Sequence, residues 1–125
     1  MLACTCIRST LKAGQIKGRV LFTVNDQPRE PIPGATITLL KCVDGNCQTV
    51  ADAKADSRGQ FSIEGVKSDE YDLLASAPNF QRVWVKLKFK AKHNTEEEII
   101  FGLEPTLDCC AGFAQIRKLK AKRRV

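Results

Sequence analysis

Residues 42–47 read Cys-Val-Asp-Gly-Asn-Cys, and no other stretch narrows the possible folds as far. Asp-Gly between two apolar runs is the strongest short-range hairpin signal, because a two-residue type I′ turn needs positive φ at both central positions. In such a turn Val43 and Asn46 close the hairpin as a hydrogen-bonded pair, so Cys42 and Cys47 form the next, non-hydrogen-bonded pair, with Cα atoms about 4.5 Å apart. A disulfide reaches across that gap. The sequence therefore predicts a strand over 35–42, a Cys42–Cys47 disulfide beside the turn, and a return strand over 47–55.

Alternation of period two supplies most of the remaining strands. Over 16–24 the even positions are apolar or glycine, which is the pattern of a half-buried strand. Residues 25–34 carry three prolines and end in Pro33-Gly34, so they read as a loop without regular ladder pairing. The turn 56–59 leads into a short strand at 60–63, then a loop over 64–70 and a strand at 71–76 stopped by Ala77-Pro78-Asn79. Along 81–92, Val83, Val85, Leu87, Phe89 and Ala91 point one way, while Arg82, Trp84, Lys86, Lys88, Lys90 and Lys92 point the other. A three-residue loop, His93-Asn94-Thr95, then joins this strand to a last one over 96–103. That register sets Glu96 opposite Lys92 and Glu98 opposite Lys90, with Ile99, Phe101 and Leu103 on the apolar face.

Seven short strands with frequent turns make an all-β sandwich, and helix is confined to 8–14 and the C-terminal tail. Ile16-Lys17-Gly18-Arg19-Val20, the Pro31-Ile32-Pro33-Gly34-Ala35 element, Ala55-Asp56-Ser57-Arg58-Gly59-Gln60-Phe61, Tyr71-Asp72-Leu73 and Ala77-Pro78-Asn79-Phe80 resemble the carboxypeptidase regulatory-like domain. The resemblance implies a seven-stranded, Greek-key, transthyretin-like sandwich over residues 16–104, flanked by segments 1–15 and 105–125. It also implies a non-catalytic accessory, adhesive or structural role, with motif residues that build turns and core. Asn79 stands where the family has glycine, and asparagine tolerates the left-handed region that the turn requires.

Cysteine usage places the chain. Six cysteines in 125 residues, with one histidine and no Cys-x-x-Cys, fit a disulfide framework in an oxidising, extracytoplasmic compartment: secreted, periplasmic or cell-surface. Neighbouring Cys109 and Cys110 cannot bond each other without strain, and Cys4 with Cys6 is little better. With Cys42 and Cys47 joined, the ends pair across the chain, Cys4 and Cys6 with Cys109 and Cys110 in either order, stapling both termini to the sandwich. Their spacings are unlike those of structural zinc ligands. Leu2-Ala3-Cys4 resembles the end of a bacterial lipoprotein signal, but acylation of Cys4 would leave an odd number of thiols. No apolar run approaches the about 20 residues needed to cross a bilayer as a helix.

The net charge of +6 is localised, since Arg117, Lys118, Lys120, Lys122, Arg123 and Arg124 account for all of it. Only the tail and the face of Trp84 with Arg82, Lys86, Lys88 and Lys90 offer electrostatic binding, the aromatic to stack and the cations to hold anionic groups. The bland alternative for that face is a solvated strand whose lysines pair with Glu96 and Glu98 and guard a sheet edge. His93 has no nucleophile or acid at a recognisable spacing, and Asp52, Asp56, Asp69, Glu70 and Asp72 form no calcium-loop pattern. The expectation is a module without catalytic residues, metal or cofactor. Its partner is another protein, a glycan or copies of itself, with nucleic acid disfavoured. Binding of an anionic polymer and membership of a surface assembly are the alternatives to a purely structural role.

Overall fold

The computed structural model describes residues 10–25, 27–92, 96–106, 108 and 110–118. Among the described residues ten strands follow one another: β1 (Leu11–Ala13), β2 (Ile16–Val24), β3 (Gln27–Pro31), β4 (Thr36–Val43), β5 (Asn46–Lys54), β6 (Gln60–Ile63), β7 (Asp69–Ser76), β8 (Val83–Phe89), β9 (Glu97–Leu103) and β10 (Phe113–Lys118). They form two sheets, β1-β8-β7-β4-β5 and β10-β9-β2-β3, with β6 also paired to β2. The seven strands expected from alternation are all present. The additions are β1, β3 and β10.

The DG hairpin forms as its residues dictate. Asp44 and Gly45 sit at φ 51° and 82°, Cys42 pairs with Cys47 in the ladder, and the two sulfurs are bonded. Cys110 is also disulfide-bonded. Cys4, Cys6 and Cys109 lie outside the described residues, and with them the expected terminal pairing order. Asn79 adopts φ 69°, the left-handed conformation expected of it.

Inward side chains from both sheets make the core, with Val20, Ile37, Leu39, Leu73, Leu87, Ile99 and Phe101 fully buried. At two positions close approach alone, without a positive φ, demands glycine. A Cβ on Gly18 would stand 1.7 Å from the Ile99 carbonyl oxygen on the neighbouring strand, and one on Gly102 would strike the Phe113 ring at 2.5 Å.

Three expectations need correction. The 25–34 segment is not free of ladder pairing, because β3 pairs with β2 through Pro28 and Pro31 across a register irregularity. Proline is tolerated on an edge strand, whose outward N–H has no ladder partner to lose. Segments assigned to helix or tail contribute β1, parallel to β8, and β10, antiparallel to β9. Most consequential, β8 and β9 are not a hairpin, since β8 lies in one sheet and β9 runs parallel to β2 in the other. Ile99, Ile100 and Phe101 are all buried, which suits a central strand covered on both faces and not an alternating edge.

Candidate functional site

Ladder register fixes what the outer face of the β1-β8-β7-β4-β5 sheet displays. One row runs Lys12, Lys88, Glu70; the next runs Lys86, Asp72, Leu40; a third runs Trp84, Leu74, Thr38. Period two along β8 sends Val83, Val85, Leu87 and Phe89 into the core and leaves Trp84, Lys86 and Lys88 outside. Trp84 is 39% exposed. Its indole N–H donates to the Asp72 carboxylate, which also lies 3.6 Å from Lys86 Nζ. The ring is thereby held on the surface by a neighbouring strand while it remains accessible.

Glu98, expected opposite Lys90, is engaged in the other sheet. Glu98, with only 11% of its side chain exposed, accepts from Arg19 Nε at 3.3 Å and Nη2 at 3.1 Å. Arg117 stands 3.9 Å from the same carboxylate. Arg117 and Lys118 thus belong to β10 in the second sheet and not to the Trp84 face, while Lys120, Lys122, Arg123 and Arg124 lie outside the described residues, as does His93. Among the described residues no carboxylate lies within ion-pair distance of Lys12, Lys88, Lys90, Lys92 or Arg82.

Lys12, Lys88, Lys90 and Lys92 line one open groove of about 570 Å³. The backbone holds its shape: the Lys90 and Lys92 N–H groups donate to the Ala13 and Gly14 carbonyls, both at 3.0 Å, and the Ala91 N–H donates to Ser68 Oγ at 2.9 Å. Three acids line its wall: Glu70 stands opposite Lys88 in the ladder, and the other two are engaged elsewhere. Glu97 accepts the Gly14 N–H at 3.1 Å, and Asp69 is bound by Lys41 at 3.0 Å. The Lys41 ammonium, then the Glu70 N–H, hold the Asp69 carboxyl below its ordinary value. Lys12 faces Lys88 directly across the ladder, an arrangement of like charges that opposes pairing and that a bound anion relieves. Lys12 escaped the sequence reading because a three-residue parallel strand carries almost no periodicity; a lone Leu-Lys-Ala is its whole signal.

Asp56 stands in the turn before β6, where its Oδ1 accepts the Arg58 and Gln60 N–H groups, both at 2.9 Å. Those bonds, Gln60 first, keep its carboxyl below the usual aspartate value. Among the described residues no three His, Cys, Asp or Glu side chains converge as metal ligands.

Residues 15–101 match the model of the carboxypeptidase regulatory-like domain family. Among solved structures the chain is similar to sea bream transthyretin crystallised with thyroxine, with a TM-score of 0.61 and 13% identity, over 87% of this chain and 99% of that one. That likeness speaks to the prealbumin-like fold alone. Comparison with curated proteins gives no match.

Proposed function

The chain belongs to the carboxypeptidase regulatory-like domain family, whose members are generally non-catalytic β-sandwich modules, and from that premise we propose that it is an extracytoplasmic interaction module that binds an acidic glycan through the β8 face. One observation carries the reading: β9 departs to the other sheet and takes Glu98 with it, so that among the described residues Lys88, Lys90, Lys92 and Lys12 have no ion-pair partner, on the strand face that also carries the anchored, accessible Trp84 two ladder rows from Lys88. A tryptophan face stacks on a sugar ring while lysines meet its carboxylate or sulfate groups. The Cys42–Cys47 bridge and the disulfide at Cys110 support an oxidising compartment. No helix among the described residues is long and apolar enough to cross a membrane.

Retention on immobilised heparin, eluted with salt, tests the proposal. Lys88→Glu with Lys90→Glu is expected to elute at distinctly lower salt, and Trp84→Ala to weaken binding with little change in salt dependence. A truncation after Lys118 keeps β10 whole and isolates the remaining basic tail. If that truncation abolishes retention while the β8 variants leave it unchanged, the β8 site is wrong.

A further inference from the structure

The sheet edges are treated unequally. The β8 edge is covered by β1, and the β3 edge carries Pro28, Pro31, Arg29 and Glu30, the usual means of blunting an edge. In contrast β5 runs nine residues, and among the described residues no strand pairs with its outer side. Its central residues Gln48-Thr49-Val50-Ala51 are uncharged and proline-free. The hairpin also bears two of the exposed large hydrophobic residues, Val43 at 59% and Val50 at 43%.

Which backbone groups face outward follows from the ladder. Val43 with Asn46 closes a type I′ turn as a hydrogen-bonded pair, so Lys41 with Gln48 is the next such pair, and the N–H and C=O of Cys47 and Thr49 turn away from β4. At the other end the Ala55 N–H donates to the Ala35 carbonyl at 2.8 Å. Counting back by twos, Ala53 and Ala51 also face β4, and Asp52 and Lys54 turn outward. The register shift opposite Leu39 and Leu40 leaves Val50 as the extra residue between the two halves. The outward-bonding residues are therefore 47, 49, 52 and 54, a set symmetric about the Val50–Ala51 peptide.

We propose that β5 is the contact strand of a homodimer, pairing antiparallel with β5 of a second copy about a two-fold axis at Val50–Ala51. Under that axis every outward-bonding residue meets another: Cys47 faces Lys54 of the second copy, and Thr49 faces Asp52 of the second copy. Thr49 and Asp52 both lie on the outer face, in register with Leu40 and Thr38, so the hydroxyl of one meets the carboxylate of the other on each side of the axis. Val50 meets Ala51 of the second copy, and no like charges are opposed. This self-complementarity is what an isologous two-fold contact requires, and it selects a second copy over an unrelated extended peptide.

Sedimentation equilibrium on the full chain, with amide hydrogen exchange across a concentration series, tests the pairing. A reversible dimer is expected, with the Cys47 and Thr49 amides gaining protection as concentration rises while Gln48, bonded within the hairpin, does not change. Thr49→Pro removes an outward N–H without touching the β4 ladder, and loss of two hydrogen bonds per dimer weakens association by about thirtyfold. Val50→Lys, which sets a charge at the axis, does the same should the proline variant fold poorly. A chain that stays monomeric to its solubility limit overturns the proposal, as does a dimer that survives both substitutions in folded protein.

Discussion

Gly18 offers the sharpest test of the central packing. In the β2 to β9 ladder it stands opposite Ile99, and a Cβ there would lie 1.7 Å from the Ile99 carbonyl oxygen, with the Ile99 carbonyl carbon and N at 2.6 and 2.7 Å. Real Cβ atoms essentially never come closer than 3.0 Å to such an atom, so Gly18→Ala forces the strands apart by about 1.3 Å at that point. A displacement of that size stretches the flanking ladder hydrogen bonds beyond useful length. Two such bonds contribute about 1 kcal/mol each, and the overpacking adds about 1–3 kcal/mol. Alanine returns at most about 1 kcal/mol through lower chain entropy in the unfolded state. The expected loss is therefore about 2–4 kcal/mol, a large part of a typical stability of about 5–15 kcal/mol.

Equilibrium urea denaturation by circular dichroism measures this directly, with calorimetry as a check. At about 3–5 °C per kcal/mol for a chain of this size, Tm should fall by about 6–20 °C. Gly34→Ala is the control, since nothing lies within 4 Å of its Cβ position and only its φ of +79° opposes substitution. That left-handed conformation costs about 1–2 kcal/mol, so the control should lose clearly less. A Gly18→Ala protein as stable as the parent, or less perturbed than Gly34→Ala, would refute the parallel β2 to β9 pairing at this register.

Two further outcomes follow from local features. Replacing Cys42 and Cys47 together by serine opens a loop of sequence separation 5, for which the chain-entropy relation gives about 2 kcal/mol; urea midpoints with an unchanged m-value check it, and a neutral double variant refutes it. The Asp56 carboxyl is held below its ordinary value of 3.8 by the Gln60 and Arg58 N–H groups. It therefore contributes stability that is present above pH 3.8 and lost as pH falls through the lower folded-state value. Asp56→Asn keeps an oxygen acceptor but no titrating group, so its Tm deficit at neutral pH should shrink on acidification, which calorimetry across pH 2–7 would show.

Sequence and structure agree where the determinant is local. The DG turn with its flanking cysteines, the left-handed Asn79 and the alternating β8 need only near neighbours in the chain. Charge pairing across a short loop makes a β8 to β9 hairpin locally self-consistent, whereas the fact that decides against it is distant in the chain. The signal was nevertheless present: Ile99-Ile100-Phe101 is apolar without interruption, the mark of a strand buried on both faces, and such a strand cannot pair at the edge of a sheet whose other face is lysine. Prolines at 28 and 31 concealed β3 for the opposite reason, since they exclude a central strand but not an edge. The candidate site inherited both outcomes. Trp84, Lys86, Lys88 and Lys90 were legible on one strand, while the loss of their expected acid partners and the arrival of Lys12 depended on which sheet each strand joined.

The dimer and the glycan site have a joint consequence that neither has alone. Pairing of β5 with β5 keeps outer face against outer face, so the lysine faces of both copies lie on the same side of one continuous sheet. From β8 of one copy through β7, β4 and β5 to β8 of the other there are seven strand spacings. At about 4.8 Å each the two Trp84-lysine faces stand about 34 Å apart. A polymer long enough to span that distance engages both faces, and the second contact is then intramolecular, which raises avidity by about 10²–10⁴ without any new contact. Affinity measured against a ladder of heparin oligosaccharides should rise gently with length below about 34 Å and step upward beyond it. Thr49→Pro should remove the step and leave the affinity for short oligosaccharides unchanged, because it does not touch the β8 face. A step retained in that variant would mean that the dimer does not set the spacing. Loss of short-oligosaccharide affinity in folded Thr49→Pro protein would mean that the two surfaces are not independent.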